Sequence, residues 1–293
     1  MHYIARTSSR KKGRRKPSEN IKKSAPRFAN DEKELEKKFK NLINVINEKQ
    51  KRIVAFSGGV DSSLLAYLCG RTAGETLCVI NDSPIMSRGE IKSAVQFCRQ
   101  FRLKIKIMKI DMLKDPLFRR NDRNRCYYCK RIFFGELVKL KDRLGYDVIF
   151  DGANYDDLVD YRPGRIAAAE LGVRSPFIEC QVIKDEIRNL SRRLKLPSWN
   201  LPSQACLASR IPYGTEITPN KVSEVEQAEN IIRDLGYNVF RARTHGEILR
   251  LELGADENLN IKRLQSAIPK LKRIGFKYIV LDLEGYRSGN LNE

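Results

Sequence analysis

The stretch "RIVAFSGGVDSSLLAYL", residues 52–68, constrains this chain most: an apolar run stops at two glycines and an apolar helical face follows at once. Gly58 and Gly59 permit a tight turn and close approach of a ligand where the strand ends. Val60, Leu64, Leu65 and Leu68 give the next helix its buried side. "TLCVIND", "KIKIMKID" and "DVIFDGAN" read as further strands, with helices after Ser87 and after the "RCYYCK" region. Strands alternating with helices predict an α/β fold with a doubly wound parallel sheet. A fifth strand is read at "SPFIEC", followed by a helix in "KDEIRNLSRRLKL" and a breaker-rich loop, "PSWNLPSQACLASRIPYG".

Beyond that loop the texture changes. "NKVSEVEQAENIIRDLG" sets Val222, Val225, Ala228, Ile232 and Leu235 on one helical face, and "EILRLEL" alternates Leu249, Leu251 and Leu253. A second helix carries Ile261, Leu264, Ile268 and Leu271, and "KYIVLDL" is the last strand. This predicts a smaller α+β domain over residues 213–293. The α/β domain is expected over 33–212, opening with an amphipathic helix that bears Leu35, Phe39, Leu42, Ile43 and Ile46.

Residues 1–32 read as a basic disordered arm, since residues 1–28 hold ten Lys/Arg against one acid, Glu19, without apolar periodicity. On a chain of net charge +20, such an arm suits contact with nucleic acid or simply solubility. It lacks the apolar centre of a secretory leader. No stretch approaches the roughly 18 apolar residues of a membrane helix, so the chain reads as soluble and cytoplasmic. An odd count of seven cysteines, with Cys69 and Cys78 in apolar patterns, speaks against a secreted disulfide framework. Cys126, Cys129 and Cys206 stand in polar, loop-like surroundings and call for a chemical explanation.

A helix that starts at a strand end offers unpaired N–H groups and a positive dipole end to an anion. Ser57, Ser62 and Ser63 add hydroxyls; the plainer alternative is a glycine turn with a serine cap. Asp61 would repel a phosphate unless it binds a cation such as Mg2+ or orients the loop. The loop carries no lysine, unlike a Walker loop, and "SGGVDSS" closely resembles the PP-loop of the ATP pyrophosphatases. That resemblance implies cleavage of ATP to AMP and pyrophosphate, with Ser57, Gly58, Gly59, Asp61, Ser62 and Ser63 binding ATP.

Cys126 and Cys129 are spaced to reach one metal or cluster, with Cys206 the natural third ligand. A [4Fe-4S] cluster with an open iron suits three thiolates. A structural zinc with His245 as fourth ligand, a redox pair and a purely structural pair are the alternatives. In "DGANYDDLVDYRPGR" the acids Asp156, Asp157 and Asp160 suit Mg2+ or a substrate, and Arg162 and Arg165 suit a phosphate or carboxylate. A solvated helix start with capping acids explains the same residues.

Taken together, "SGGVDSS", "RCYYCK", "NYDDLVDYRPGR", "GVRSP", "ACLASRIPYG", "RAR" and the closing "LDLEGYRSGNLNE" resemble the LarE family of ATP-dependent sulfur transferases, from about residue 33 to the C-terminus. The resemblance implies adenylation of pyridinium-3,5-biscarboxylic acid mononucleotide and exchange of an oxygen for sulfur, toward a nickel-pincer cofactor. It implies ATP and Mg2+ as cofactors, a small-molecule carboxylate nucleotide as substrate, and a homo-oligomer. Lys130 then matches a basic residue near phosphates, Asp157 and Arg162 the acid–arginine turn, and Arg241 and Arg243 residues that bind the substrate phosphate. Arg210, beside Cys206, is expected at the substrate. For Arg241 and Arg243 the plain alternative is an exposed strand face. Family members with one cysteine, at the position of Cys206, give up its sulfur, whereas Cys126 and Cys129 here match the branch that holds a [4Fe-4S] cluster. A PP-loop tRNA thiolase and a zinc-stabilised ATP-binding protein without turnover are the competing functions.

Overall fold

Four strands, β1 (Lys51–Ala55), β2 (Glu75–Asp82), β3 (Lys104–Lys109) and β4 (Val148–Phe150), form a parallel sheet in the order β3-β2-β1-β4. The structure, a computed structural model, describes residues 25–159, 162–202 and 205–287. Most of the basic arm, up to residue 24, lies outside the described residues, and helix α1 (Ala25–Asn47) follows. The helices of the larger part are α2 (Val60–Arg71), α3 (Arg88–Gln100), α4 (Pro116–Arg119), α5 (Arg125–Leu144), α6 (Pro163–Glu170), α7 (Pro176–Glu179) and α8 (Lys184–Arg193).

The alternation of a strand's side chains sends residues to two cores, one on each face of the sheet. Ile53, Ala55, Leu77, Val79 and Ile149 pack with Phe133, Phe134, Leu137 and Leu140 of α5. Val54, Cys78, Ile80, Val148 and Phe150 pack with α1, α2, α3, α7 and α8 through Leu42, Leu64, Leu65, Phe97, Phe177 and Ile187. Covering both faces produces the doubly wound α/β architecture and explains why β1 reads as a continuous apolar run. β3, at the sheet edge, carries exposed lysines instead, which discourage further strand pairing.

The chain continues through α9 (Pro219–Asp234), β5 (Phe240–His245), β6 (Ile248–Leu253), α10 (Ile261–Gln265), α11 (Ile268–Ile274) and β7 (Tyr278–Leu281). β5 and β6 are antiparallel, β6 and β7 parallel. Ala228, Ile232, Leu249, Leu251 and Leu271 build a third core, whereas Val222 and Val225 at the start of α9 join the first.

Three expectations change. "SPFIEC" contributes one bridge, Arg174 to Phe150, and then the short helix α7. Pro176 lacks the N–H a ladder needs, and its fixed φ suits a first helical turn. The helix read across Ile261 to Leu271 is two, because Pro269 has no N–H for Gln265 and its ring crowds that carbonyl. Cys126 and Cys129 lie within the first turns of α5, where a three-residue spacing puts them on one helical face.

Arg52, fully buried, ties three segments together. It donates to the carbonyls of Ile46 (3.0 Å), Cys69 (3.4 Å) and Ala73 (2.6 Å) and to Thr72 Oγ1 (3.1 Å). Arg52→Met should leave the Ile46 and Ala73 carbonyls without this donor, while Cys69 O keeps those of Thr72 and Thr76, and should lower the unfolding free energy by about 3 kcal/mol in urea titration. A loss below about 1 kcal/mol would mean that water replaces the guanidinium.

Candidate active site

In the strand order β3-β2-β1-β4 the chain reverses direction at β1 and β4, and ligands of such sheets bind at the carboxyl ends of strands at that switch point. The glycine loop sits there. Gly58 has φ +80°, and a Cβ on it would lie 2.8 Å from Ala94 Cβ of α3, so both backbone and space demand glycine. Gly59 is the N-cap of α2. Ser57 and Ser62 hold the turn: their hydroxyls lie 3.0 Å apart, and Ser62 Oγ accepts from Ser57 N (3.3 Å). From β4 the chain passes so close that a Cβ on Gly152 would stand 2.9 Å from Ser62 N.

Four buried side-chain atoms in this region have no hydrogen-bond partner: Asp61 Oδ1, Ser63 Oγ, Asn81 Oδ1 and Ser83 Oγ. Asn81 and Ser83 follow β2, which the register Ala55↔Val79 sets beside β1. They are four of ten such atoms among the described residues, and their grouping at the strand ends makes the loop a candidate site for a polar ligand. A separate open depression, lined by Asp82, Pro84, Arg88, Lys109, Ile110, Asp111 and Lys114, contains none of the loop residues. Its lining is partly spent on the Arg88–Asp82 ion pair, and the loop is the better candidate.

Asp61 Oδ2 pairs with Lys184 Nζ at 2.5 Å. Burial pushes the Asp61 carboxyl above the usual range and nearby Asp157 adds to this, against the pull of Lys184. Asp157 is itself buried; it accepts from Asn154 N (3.0 Å) in a reciprocal cap and pairs with Arg162 Nη1 at 2.6 Å. Asp156 accepts from Lys184 N at 2.7 Å. Asp160 lies outside the described residues. Two neighbouring carboxylates, one with an unpartnered oxygen, fit Mg2+, which is held by one or two carboxylates together with phosphates and water.

Cys206 precedes a short turn, Leu207–Arg210, held against α5 and the loop after β2: Ala208 O accepts from Arg125 Nη1 (3.1 Å) and Leu207 N donates to Ile85 O (2.8 Å). This brings Cys206 near Cys126 and Cys129. Desolvation and the two neighbouring sulfurs push the Cys129 thiol up to about 12, against Lys130 and Arg125. Desolvation and Cys206 likewise raise the Cys126 thiol. Lys130 rests over the Phe134 ring (5.0 Å), and a Cβ on Gly164 would stand 2.9 Å from its Cγ, so α6 closes against this turn of α5. Among the described residues no three His, Cys, Asp or Glu side chains are arranged around a single metal ion. His245 ends β5, with Arg243 and Arg250 as its charged neighbours and burial holding its pKa low.

Arg210, Arg241 and Arg243 are buried. Arg210 pairs with Glu229 (Nε–Oε1 2.7 Å) and Arg243 with Glu252 (Nε–Oε1 2.5 Å), while Arg243 Nη1 also reaches Ser209 O (2.9 Å). Arg241 stacks on Tyr286 at 4.5 Å and donates to Phe240 O. Burial lowers the Arg241 pKa and nearby Arg210 adds to this, while Tyr286 and Glu229 oppose it.

The NAD synthase family matches residues 32–126, from α1 to the first turn of α5. An uncharacterized protein of Synechocystis sp. is 39% identical over 262 residues, covering 88% of this chain and 98% of its own length. One of Methanocaldococcus jannaschii is 34% identical, covering 86% and 98%. The pyridinium-3,5-bisthiocarboxylic acid mononucleotide synthase of Lactiplantibacillus plantarum is 31% identical over 262 residues, covering 88% and 95%. The chain belongs to the LarE family of ATP-dependent sulfur transferases.

As a LarE-family protein it is an adenylating sulfurtransferase that uses ATP and Mg2+. No helix of the described residues is long and apolar enough to cross a membrane. Sequence reasoning missed Lys184, Arg125, Glu229 and Glu252. Lys184 meets Asp61 across 123 positions, which no local pattern encodes, and the two glutamates lie on faces that looked solvated.

A carboxyl with a raised folded pKa binds its proton more tightly in the native state, so its penalty is absent below the usual carboxylate range and grows as pH rises through it. Asp61→Asn should therefore raise the urea midpoint of the ligand-free protein at neutral pH, with the gain vanishing below about pH 4. Pyrophosphate release should fall about 100-fold or more. Equal midpoints at pH 7 would show that Lys184 fully offsets the desolvation.

Proposed function

We propose that this protein adenylates a carboxylate of pyridinium-3,5-biscarboxylic acid mononucleotide and converts it to a thiocarboxylate, with sulfur supplied at Cys126, Cys129 and Cys206. What supports the reading is a glycine loop with unpartnered buried polar atoms at the strand ends, together with three cysteines drawn near one another by the Arg125–Ala208 bond. The family likeness to a named synthase of the corresponding bisthiocarboxylic acid supports the substrate.

The chemistry divides between the two halves of the crevice. The amides of Gly58 and Gly59 and the hydroxyls of Ser57, Ser62 and Ser63 hold the pyrophosphate end of ATP. Asp61, which pairs with Lys184, would hold the Mg2+ that accompanies ATP, and the ion would supply charge neutralisation at the phosphates. A substrate carboxylate oxygen attacks the α-phosphorus and expels pyrophosphate; the acyl adenylate so formed has AMP as a good leaving group. A sulfur nucleophile adds at the acyl carbon and AMP departs with the former carboxylate oxygen. Arg241 binds the substrate phosphate, and Arg243 and Arg210 brace it from their own ion pairs.

Three thiols within mutual influence, none caging a single ion, suit a [4Fe-4S] cluster, in which each thiolate takes its own iron. When bound, that cluster supplies the place where sulfide for transfer is held. Its thiol ligands must lose protons that burial makes them retain, so cluster loading should improve with rising pH.

Anaerobically purified protein should contain about four irons. With ATP and the pyridinium dicarboxylate it should form thiocarboxylate, AMP and pyrophosphate, followed by mass spectrometry of product and protein. An intact protein mass indicates sulfur from the cluster; loss of one H2S indicates sacrifice of Cys206. Cys206→Ala should abolish the thiocarboxylate but retain pyrophosphate release, since loop and sulfur source are separate. No pyrophosphate with this acid, or one zinc in place of iron, would overturn the substrate or the cluster respectively.

A further inference from the structure

Arg125 is a buried cation with an unused donor. It is the first residue of α5, beside Cys126, and only 3% exposed. Nη1 is held from two sides, by Asn121 Oδ1 (2.7 Å) and Ala208 O (3.1 Å). Asn121 is immobilised in turn: it is fully buried, has φ +57°, and its Nδ2 donates to Pro212 O and Thr215 O, both at 2.8 Å. The ring of Tyr213 lies 5.0 Å from the guanidinium carbon.

Two features then remain unexplained by packing. Among the described residues no carboxylate pairs with Arg125, in contrast to Arg210 and Arg243, which face Glu229 and Glu252. Its Nε is buried and finds no acceptor. Desolvation opposes its charge, and the neighbouring Cys206 and Cys126 sulfurs together with Tyr213 more than offset this. Cys126 is the next residue, and Cys206 is two residues from the Ala208 carbonyl that Arg125 grips. The available anion position therefore lies among the cysteines and not at the phosphate loop.

We propose that Arg125 binds the anionic sulfur destined for transfer, a hydrosulfide-class species held at the three cysteines, through its unused Nε–H. The inference rests on the reading that Cys126, Cys129 and Cys206 supply the sulfur. Arg125 thus does two things at once: Nη1 sets the position of the Cys206 turn, and Nε meets the sulfur.

Full-length wild type, Arg125→Lys and Arg125→Met are reconstituted anaerobically with iron and sulfide, and sodium hydrosulfide is titrated while electron paramagnetic resonance is recorded. With circular dichroism and iron content at the wild-type level, hydrosulfide affinity should fall about tenfold or more in Arg125→Met, and less in Arg125→Lys, which keeps the charge. Unchanged affinity in Arg125→Met overturns the proposal. Should the variants fail to fold, wild type labelled with 15N-arginine should show a 15N coupling to the reduced cluster that appears on adding hydrosulfide; its absence overturns the proposal equally. Wild type that takes up no iron refutes the cluster, not this inference. The readout then becomes the yield of Cys206 persulfide formed with polysulfide, which should fall in Arg125→Met and overturns the proposal if unchanged.

Discussion

The Arg210–Glu229 ion pair holds the crevice together. Both side chains are buried, and two bonds join them, at 2.7 and 3.2 Å. The remaining arm of Arg210 takes Ala205 O (2.7 Å) and Cys206 O (3.2 Å), so the cysteine loop is strapped to α9. Glu229 also accepts from Ala242 N of β5 at 3.4 Å. One desolvated pair thus sets three segments: the turn that carries Cys206, the helix that spans two cores, and the strand that presents Arg241. Removing either partner of such a pair leaves a buried charge, typically at a cost of about 3–5 kcal/mol.

Buried charge recurs around the crevice, and its distribution separates structure from chemistry. Where a guanidinium meets both oxygens of a carboxylate, as in Arg210–Glu229, the pair braces the fold. Where matching is incomplete, function is the better explanation. Asp61 keeps a raised pKa despite Lys184, Arg241 keeps a depressed one, and several polar atoms near the glycine loop have no partner. Perturbed groups of this kind are tolerated where a ligand supplies the missing half of the interaction.

The larger sheet was legible because its strands are short apolar runs bounded by glycine and acidic turns, and buried parallel strands must look that way. The glycine loop was legible for a related reason, since φ +80° at Gly58 and the contact with Ala94 admit only glycine. Errors came where a single proline outweighed an apolar pattern, at Pro176 and Pro269. Cys126 and Cys129 looked loop-like because arginines, tyrosines and lysine surround them, yet the same side chains suit an exposed helical turn.

The chemistry at each position along the chain belongs to the sequence alone. Serines and glycines at a strand end, an acid in place of a lysine, and three cysteines in polar settings narrow the possibilities to nucleotide cleavage coupled to sulfur or metal. What they could not determine is mutual position, because contacts across some eighty to one hundred and twenty residues carry no periodic signal. Tertiary structure alone decided that Lys184 meets Asp61, that Arg125 stands beside the cysteines with a donor to spare, and that Arg210 and Arg243 are buried against glutamates. The physical reason is desolvation: a charge buried by folding must find its partner in space, wherever in the chain that partner lies.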